Sequence, residues 1–232
     1  MSQEPTVAHV WWARPAEVAQ TLLSPIEREK AARLRNLAER GRSLTAALLL
    51  RAVLAERTGI APGELVIDRR CADCGGPHGR PRLTGSGLEV SVTHSGDLVG
   101  VALTAGVPVG LDAESASAPV TEGMAGLACT PAELRWLLGY PQPRQQDAFL
   151  RLWTAKEAVL KALGTGLMKP MTELDLEPPA ADGPFIGPVR EGATAWLYPV
   201  SPGPDYLGSL AGLAPLDGIE EHDGDALLRT LG

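Results

Sequence analysis

Two short segments carry the residue types that bind a metal ion together with a phosphate. Asp112 and Glu114 follow an apolar run, and a strand at that position would direct both carboxylates to one face. Lys156, Glu157 and Lys161 lie in a segment with a helical pattern, in which Lys161 comes one turn after Glu157. Carboxylates that converge next to lysines are what a hard divalent cation bound to a polyphosphate requires. An Asp-x-Glu pair alone is more often a solvated strand edge, but the two segments together predict chemistry on a pyrophosphate.

A second group of polar residues lies in the first half of the chain. Thr93, His94 and Ser95 end a predicted strand and offer hydrogen-bond donors that suit a phosphate monoester. Arg80 lies just before a proline, where a guanidinium on a rigid turn could bind the same anion or stack on a base. A lone histidine in such a position is more often structural than catalytic, so the prediction depends on the whole group.

Two helices are predicted ahead of these residues. Ser24-Pro25-Ile26-Glu27 has the pattern of a helix start, with serine as the N-cap, proline at the first position and glutamate at the third. A second helix is predicted from roughly Arg40 to Thr58, where Gly59 ends it. Its first residues, 40–43, combine two guanidinium groups with free backbone N–H groups, which favours phosphate binding.

The order of the predicted elements indicates two lobes of similar α+β build. Each half contains a strand, then helices, then further strands, and a long helix from Gln145 to Leu163 carries the second charged segment. A Rossmann sheet is disfavoured, because no G-x-G-x-x-G follows a strand. We expect an N-terminal lobe of residues 1–106 and a C-terminal lobe of residues 107–232.

Composition limits the class of protein. Of 232 residues, 44% are hydrophobic and 21% are charged, which is typical of a globular chain. No apolar run approaches the roughly 20 residues that span a bilayer, and the N-terminal segment lacks the pattern of a secretion signal. We therefore expect a cytoplasmic protein with no membrane partner. A monomer is expected as well, independently of these patterns. No basic stripe with interleaved aromatic residues is present, which disfavours nucleic-acid binding.

Charge is distributed unevenly along the chain. Residues 1–110 contain 13 Lys and Arg against 11 Asp and Glu, whereas residues 111–232 contain 8 against 17. A mildly basic first half suits an anionic ligand. The acidic second half suits a metal site, or it serves only solubility.

Three cysteines cannot all pair with one another, so a disulfide framework is not expected. Cys71 and Cys74 form a C-x-x-C pair, and His78 follows closely. These are three candidate zinc ligands without an adjacent fourth. Free thiols in a substrate-lining loop are the preferred interpretation, and a structural zinc site is the alternative.

Residues 109–114 and 153–167 closely resemble the two signature motifs of the Sfp-type 4′-phosphopantetheinyl transferases. Their sequences are VGLDAE and WTAKEAVLKALGTGL, and Glu157 follows Asp112 by 45 residues, the family's usual distance. Gly79-Arg80-Pro81 and Val92-Thr93-His94-Ser95 match two further family patterns in the right order. The resemblance extends from about residue 22 to residue 213.

The resemblance implies an α+β fold of two similar α/β lobes, related by a pseudo-twofold axis, with coenzyme A between them. It implies transfer of the phosphopantetheine arm of coenzyme A to a serine of an acyl or peptidyl carrier protein. The other product would be adenosine 3′,5′-bisphosphate. The carrier proteins would belong to polyketide, nonribosomal peptide or fatty-acid synthases.

The resemblance also assigns roles to individual residues. The expected metal is Mg²⁺, with Mn²⁺ as an alternative, and its ligands would be Asp112, Glu114 and Glu157. The lysines expected to contact the coenzyme A phosphates are Lys156 and Lys161. The residues expected to hold the 3′-phosphate are Lys30, Arg42 and His94, and those expected near the adenosine are Ser43, Arg80 and Thr93. The catalytic group would be Asp112, Glu157 and Lys161.

Some alternatives remain open at this stage. The base that accepts the serine proton would be either Glu157 or a water bound to the metal beside it. Two other functions fit the same acids: a non-catalytic module that binds coenzyme A or a carrier protein, and a magnesium-dependent phosphohydrolase. The segment from Val120 to Trp136, with apolar residues such as Met124 and Leu127, is a candidate surface for the carrier protein, or it simply packs onto its own lobe.

Overall fold

Ten strands and six α-helices form within residues 5–71, 74–121, 123–165, 169–180, 183–189 and 194–231, which are the residues that the computed structural model describes. The strands are β1 (Val7–Ala13), β2 (Ile67–Asp68), β3 (Arg82–Leu83), β4 (Leu88–Ser95), β5 (Leu98–Ala105), β6 (Val109–Ser115), β7 (Gly187–Pro188), β8 (Trp196–Pro199), β9 (Tyr206–Gly212) and β10 (Gly218–Asp223). The helices are α1 (Pro25–Ala32), α2 (Leu37–Thr58), α3 (Met124–Ala128), α4 (Pro131–Leu138), α5 (Gln142–Leu163) and α6 (Gly224–Arg229). This mixture of strands and helices confirms the predicted α+β class. None of the described helices is both long and apolar enough to cross a membrane.

The chain divides into two compact units. The first comprises residues 1–106 together with 217–232, and the second comprises residues 107–216. The last 16 residues therefore do not belong to the C-terminal lobe that was expected to extend from 107 to 232. The reason is a backbone ladder, because β10 pairs in parallel with β1 over six residues, from Gly218 opposite Val7 to Asp223 opposite Trp12.

The first unit consists of a four-stranded sheet with a long helix packed on it. The strand order is β10-β1-β5-β4, and β5 runs antiparallel to both of its neighbours. Helix α2 begins at Asn36, whose side chain accepts hydrogen bonds from two backbone N–H groups, and it ends at Gly59 in the left-handed conformation. The residues that form the core between α2 and the sheet are apolar and buried: Leu49, Leu50, Val53, Leu54, Val90, Val99, Val101 and Leu103.

A buried ion pair connects the first two helices of this unit. The side chain of Ser24 and that of Glu27 form the predicted capping box at the start of α1. The same Glu27 carboxylate accepts a hydrogen bond of 2.8 Å from Arg51 Nε on α2, and both side chains are almost inaccessible to water. Glu27 therefore both begins α1 and anchors it to α2.

The second unit has the same kind of build, with a sheet of order β6-β9-β8-β7 and the 22-residue helix α5 packed on β6 and β9. Gly110 makes this packing possible. A Cβ atom at this position would overlap the carbonyl oxygen of Ala158 and the amide nitrogen of Ala162, so only glycine lets the helix backbone lie directly on the strand. The strand that carries Asp112 is thereby brought into contact with the helix that carries Glu157.

Candidate functional site

Asp112 and Lys161 form the centre of the site in the second unit. Asp112 lies on β6 opposite Ser209 of β9, and its side chain is 5% exposed. Lys161 Nζ donates to Asp112 Oδ1 at 2.6 Å and to the carbonyl oxygen of Leu111 at 3.1 Å. Because Asp112 lies on the strand and Lys161 on the helix, their ion pair spans the junction between β6 and α5.

Glu157 is half-buried on α5, one turn before Lys161. Burial and, after it, the negative charge of Asp112 raise the pKa of Glu157 to about 7. Lys161 opposes this effect, and Glu114, two residues after Asp112 on β6, raises the pKa further. The three predicted metal-binding carboxylates, Asp112, Glu114 and Glu157, therefore act on one another electrostatically at this junction.

Lys156 points away from these carboxylates, which corrects the expectation that it contacts a coenzyme A phosphate. Its side chain is fully buried, and Nζ donates to Glu133 Oε2 at 2.5 Å, to the carbonyl oxygen of Ala128 at 2.7 Å and to that of Met171 at 2.9 Å. The ammonium group has three hydrogens, and these three acceptors use them all. Successive residues of a helix point about 100° apart, so Lys156 and Glu157 face different surroundings.

Glu133 is the residue that the sequence alone did not connect to this region. It is the third residue of the Thr130-Pro131-Ala132-Glu133 capping box that begins α4. Glu133 also accepts hydrogen bonds from Lys156 and from the backbone N–H of Leu176. Glu133 on α4 is therefore bonded both to α5 and to the segment around Leu176. These contacts join residues far apart in the chain, so only the tertiary structure reveals them.

The polar residues predicted to bind the far end of the ligand lie in the first unit. Arg42 and Ser43 are half-buried near the start of α2, and the Arg42 guanidinium donates to the carbonyl oxygen of Gly96 at 3.0 Å. Gly96 lies in the turn between β4 and β5, just after His94, which is exposed. The first helical residue of α2 is Leu37, so residues 41–43 lie beyond its first turn and do not offer the free backbone N–H groups that were expected of them. The contact to Gly96 nevertheless brings the Arg42 side chain to the turn after β4, and Thr93 on that strand is buried.

Arg80 and Lys30 occupy different environments in the same unit. The Arg80 side chain is 12% exposed, forms an ion pair of 2.8 Å with Glu89 and donates from Nε to the carbonyl oxygen of Val90 at 3.3 Å. Desolvation lowers the pKa of Arg80, and the charge of Glu89 partly offsets this. Lys30 is exposed on the last turn of α1. Arg80 is thus fixed in place, whereas Lys30 remains accessible to solvent.

Comparison with known proteins identifies the family. Residues 108–210 match the model of the 4′-phosphopantetheinyl transferase superfamily. The chain is 31% identical over 169 residues to the 4′-phosphopantetheinyl transferase HetI of Nostoc sp. strain PCC 7120, a region that covers 69% of this chain and 70% of HetI. The chain belongs to the 4′-phosphopantetheinyl transferase superfamily.

Two further similarities belong to the same family. The 4′-phosphopantetheinyl transferase Sfp of Bacillus subtilis strain 168 is 26% identical over 152 residues, which cover 65% of this chain and 64% of Sfp. The holo-[acyl-carrier-protein] synthase of Thermotoga maritima has a TM-score of 0.37 and 20% identity over 46% of this chain and 62% of its own. The match to HetI and the family model confirm, at the level of the superfamily, the resemblance found in the sequence motifs.

The family match coincides with the second unit. The matched segment contains Asp112 and Glu114 of β6 and Glu157 and Lys161 of α5. The last two residues of the second signature segment, 166 and 167, lie outside the described residues.

Proposed function

We propose that this transferase moves the 4′-phosphopantetheine arm of coenzyme A onto a serine hydroxyl of an acyl or peptidyl carrier protein. Adenosine 3′,5′-bisphosphate is the second product. The observation that carries the proposal is the junction of β6 and α5, where Lys161 is paired with Asp112 beside the perturbed carboxyl group of Glu157. This junction lies inside the segment that matches the superfamily.

The donor set of this junction fits Mg²⁺, or Mn²⁺ in its place. Asp112, Glu114 and Glu157 are carboxylates, the ligands that hard divalent cations prefer, and the group contains no thiol or imidazole. Burial and, after it, the charges of Asp112 and Glu114 raise the pKa of Glu157, and Lys161 offsets this only in part, so a cation at this position would stabilise the ionised carboxylate. A bound Mg²⁺ would supply charge neutralisation on the diphosphate of coenzyme A.

The protein's own residues account for the proton and for the orientation of the reacting groups. The serine oxygen forms a bond to the β-phosphorus, while the bond from that phosphorus to the oxygen shared with the adenosine-bearing phosphate breaks. We assign the serine proton to Glu157, whose carboxylate lies at this junction one turn before Lys161. Lys161 supplies positive charge to the phosphate that leaves.

The first unit provides the groups that we assign to the 3′-phosphate and the adenosine. Arg42 lies in the second turn of α2 and reaches the turn after β4, the strand that carries His94, and Lys30 supplies an ammonium group from the last turn of α1. Ser43, Arg80 and Thr93 are assigned to the adenosine. We assign no ligand contact to Lys156, because its ammonium group donates all three of its hydrogens to acceptors within the second unit.

Mass spectrometry of an intact apo carrier protein tests the proposal. With coenzyme A, Mg²⁺ and this protein present, the carrier should gain the mass of one phosphopantetheine arm. Glu157→Gln and Asp112→Asn should each lower the rate at least about 100-fold. Asp147→Asn is the matched control, because Asp147 lies on the same helix but is paired with Arg151 four residues later.

The outcome also separates the competing functions. Binding of coenzyme A without any mass gain on the carrier would indicate the non-catalytic module. Hydrolysis of coenzyme A to 4′-phosphopantetheine and adenosine 3′,5′-bisphosphate without a carrier, with water in place of the serine, would indicate the hydrolase. We expect the enzyme to act in the cytoplasm as a monomer. Analytical ultracentrifugation at the concentration used in the assay tests the oligomeric state.

A further inference from the structure

The loop between β2 and β3 brings three soft ligand groups together on the surface of the first unit. The two thiol sulfurs of Cys71 and Cys74 and one imidazole nitrogen of His78 all lie within 4.8 Å of one another. Cys74 Sγ is 2.9 Å from His78 Nε2. Neither cysteine forms a disulfide. The proposed function uses none of these three residues.

Backbone hydrogen bonds hold the three ligands in this arrangement. The N–H of Gly75 donates to the carbonyl oxygen of Cys71 at 2.9 Å, and the N–H of Cys71 donates to that of Gly76 at 2.8 Å. The N–H of Gly76 also donates to Cys74 Sγ at 3.4 Å. These three contacts fix Cys71 and Cys74 relative to the turn at Gly75 and Gly76.

Gly79 closes the loop immediately after the last ligand. Its N–H donates to the carbonyl oxygen of Arg69 at 2.7 Å. A Cβ atom at Gly79 would lie 2.9 Å from the amide nitrogen of Cys71 and closer still to the carbonyl group of Arg70, so another residue would force the two ends of the loop apart. The glycine thus keeps His78 next to the cysteines.

We propose that Cys71, Cys74 and His78 bind one zinc ion. Two thiolates and one imidazole are ligands that favour Zn²⁺ over Mg²⁺ or Ca²⁺, and water or another oxygen ligand completes the fourth position at this exposed loop. Tetrahedral Zn²⁺ places a sulfur and a nitrogen ligand about 3.6 Å apart, given Zn–S and Zn–N distances of about 2.3 and 2.05 Å. The observed separation of 2.9 Å needs only a small side-chain adjustment to reach this value.

The ion would act as a cross-link within the loop that leads to Arg80. Cys71 follows β2, His78 precedes β3, and Arg80 follows two residues after His78. Zinc binding at this loop is independent of the proposed transferase activity. It is measured by the zinc content of the protein and by the protection of the loop against hydrogen exchange. It also reverses the preference for free thiols that the sequence alone suggested.

A second cluster in the same unit provides an internal control. His9 of β1 and Glu220 and His222 of β10 also lie within 4.8 Å of one another. Here His9 Nδ1 is 3.0 Å from His222 Nε2 and 3.3 Å from Glu220 Oε2, and Trp11 stacks on His222. This cluster has no thiolate and lies on two paired strands, so a variant in it tests whether zinc binds at the loop or at the strands.

Elemental analysis of protein without a histidine tag, purified with a reductant, tests the proposal. The wild-type chain should contain about one zinc ion. Cys74→Ser and His78→Ala should each lose it, whereas His222→Ala and Cys129→Ala should retain it, because neither residue belongs to the loop cluster. Removal of zinc by a chelator should increase hydrogen exchange in residues 69–80 but not in β6.

Cobalt substitution of the wild-type chain gives a readout that does not depend on the folding of any variant. Co²⁺ should produce thiolate-to-metal charge-transfer absorption together with the bands of a tetrahedral site. Absence of that absorption would overturn the proposal. So would zinc that is lost from His222→Ala and kept by Cys74→Ser, or a Cys71–Cys74 disulfide in the protein as purified.

Discussion

Glu157 is held where its negative charge is unfavourable, because burial and the carboxylate of Asp112 both raise its pKa, to about 7. Lys161 reduces this cost only in part. Such a group is poised to take up a proton near neutral pH or to bind a cation. In the proposed function, this single ionisation of Glu157 would affect proton transfer, metal affinity and stability together.

The pH dependence of the metal-free protein tests this link. The pKa of Glu157 is raised in the folded state, so between about pH 4.5 and 7 the folded protein binds a proton that the unfolded chain does not. The free energy of unfolding should therefore fall as the pH rises through this range, by on the order of 1–3 kcal/mol. Urea unfolding of Glu157→Gln should show a flatter profile, and an unchanged profile would contradict the assignment. In calorimetric titrations, Mg²⁺ should bind roughly tenfold more tightly at pH 8 than at pH 6.

Replacing Lys156 and replacing Lys161, both on α5, should affect stability and activity differently. Lys156→Met leaves the fully buried Glu133 without its cation and should lower the free energy of unfolding by about 3–5 kcal/mol. Lys161→Met should change stability much less but reduce phosphopantetheinyl transfer at least about 100-fold. Denaturant unfolding and carrier-protein kinetics on the same preparations distinguish the two effects.

The double variant Lys156→Met/Glu133→Gln serves as the control for this comparison. It removes both buried charges and should recover part of the lost stability. If Lys156→Met is instead stable but inactive, Lys156 contacts the ligand and its assignment as a structural residue is wrong.

At the scale of elements, the site depends on how closely α5 lies on β6. Gly110 permits this contact, because any Cβ atom there would meet the backbone of α5. The same contact sets the distance between Asp112 on the strand and Lys161 on the helix. A change in the packing of α5 on β6 should therefore alter the geometry of Asp112 and Lys161 and, with it, the rate of transfer.

Gly110→Ala tests this dependence. The added methyl group should displace the helix, lower the free energy of unfolding by about 1–3 kcal/mol and reduce transfer even where the protein remains folded. Gly126→Ala is the matched control, because a Cβ atom at Gly126 has open space around it. Equal behaviour of the two variants in thermal unfolding and in activity would contradict the packing argument.

The candidate carrier-binding segment divides into packed and exposed residues. Met124, Leu134 and Trp136 pack against the core of the second unit, whereas the Leu127 side chain is 75% exposed on α3. Residue 122 of this segment lies outside the described residues. Leu127 is therefore the residue through which a docking role can be tested without disturbing the core.

If α3 contacts the carrier protein in the proposed reaction, Leu127→Asp should raise the KM for the carrier roughly tenfold and leave the KM for coenzyme A unchanged. The acidic side chain would also repel an acidic carrier helix. Leu138→Asp on α4 is the control, since Leu138 is comparably exposed. An equal rise of KM in both variants, or none in either, would reject α3 as the docking surface.

At the scale of the molecule, the last strand completes the sheet of the first unit. Strand β10 pairs with β1, and the backbone N–H of Thr6 donates to the Asp217 carboxylate at 2.7 Å. Helix α6 follows and packs on α2 and β1. The end of the described chain is therefore a structural part of the unit in which the chain begins.

Removal of residues 217–232 should expose the edge of β1 and destabilise the first unit selectively. Limited proteolysis should then cut preferentially within residues 5–106, while the second unit remains protected. Cleavage that is spread evenly over both units would contradict this assignment of β10.

The sequence by itself determined the features that depend on neighbouring residues. The capping boxes at Ser24 and Thr130, the ends of α2 and α5 at glycines, and the helical register of Glu157 and Lys161 all follow from local geometry. The two signature segments could also be recognised from the sequence, because each is continuous in the chain. From these features the α+β class and the superfamily were predicted correctly.

Only the tertiary structure decided which of two neighbouring lysines faces the acids, and it assigned that place to Lys161. It also placed β10 beside β1, from which it is separated by about 200 residues, and gathered Cys71, Cys74 and His78 within a folded loop. These outcomes depend on which partner a buried charge, a strand edge or a thiol meets. Such partners are distant in the chain or fixed by the path of a loop, so packing selects them and local pattern does not.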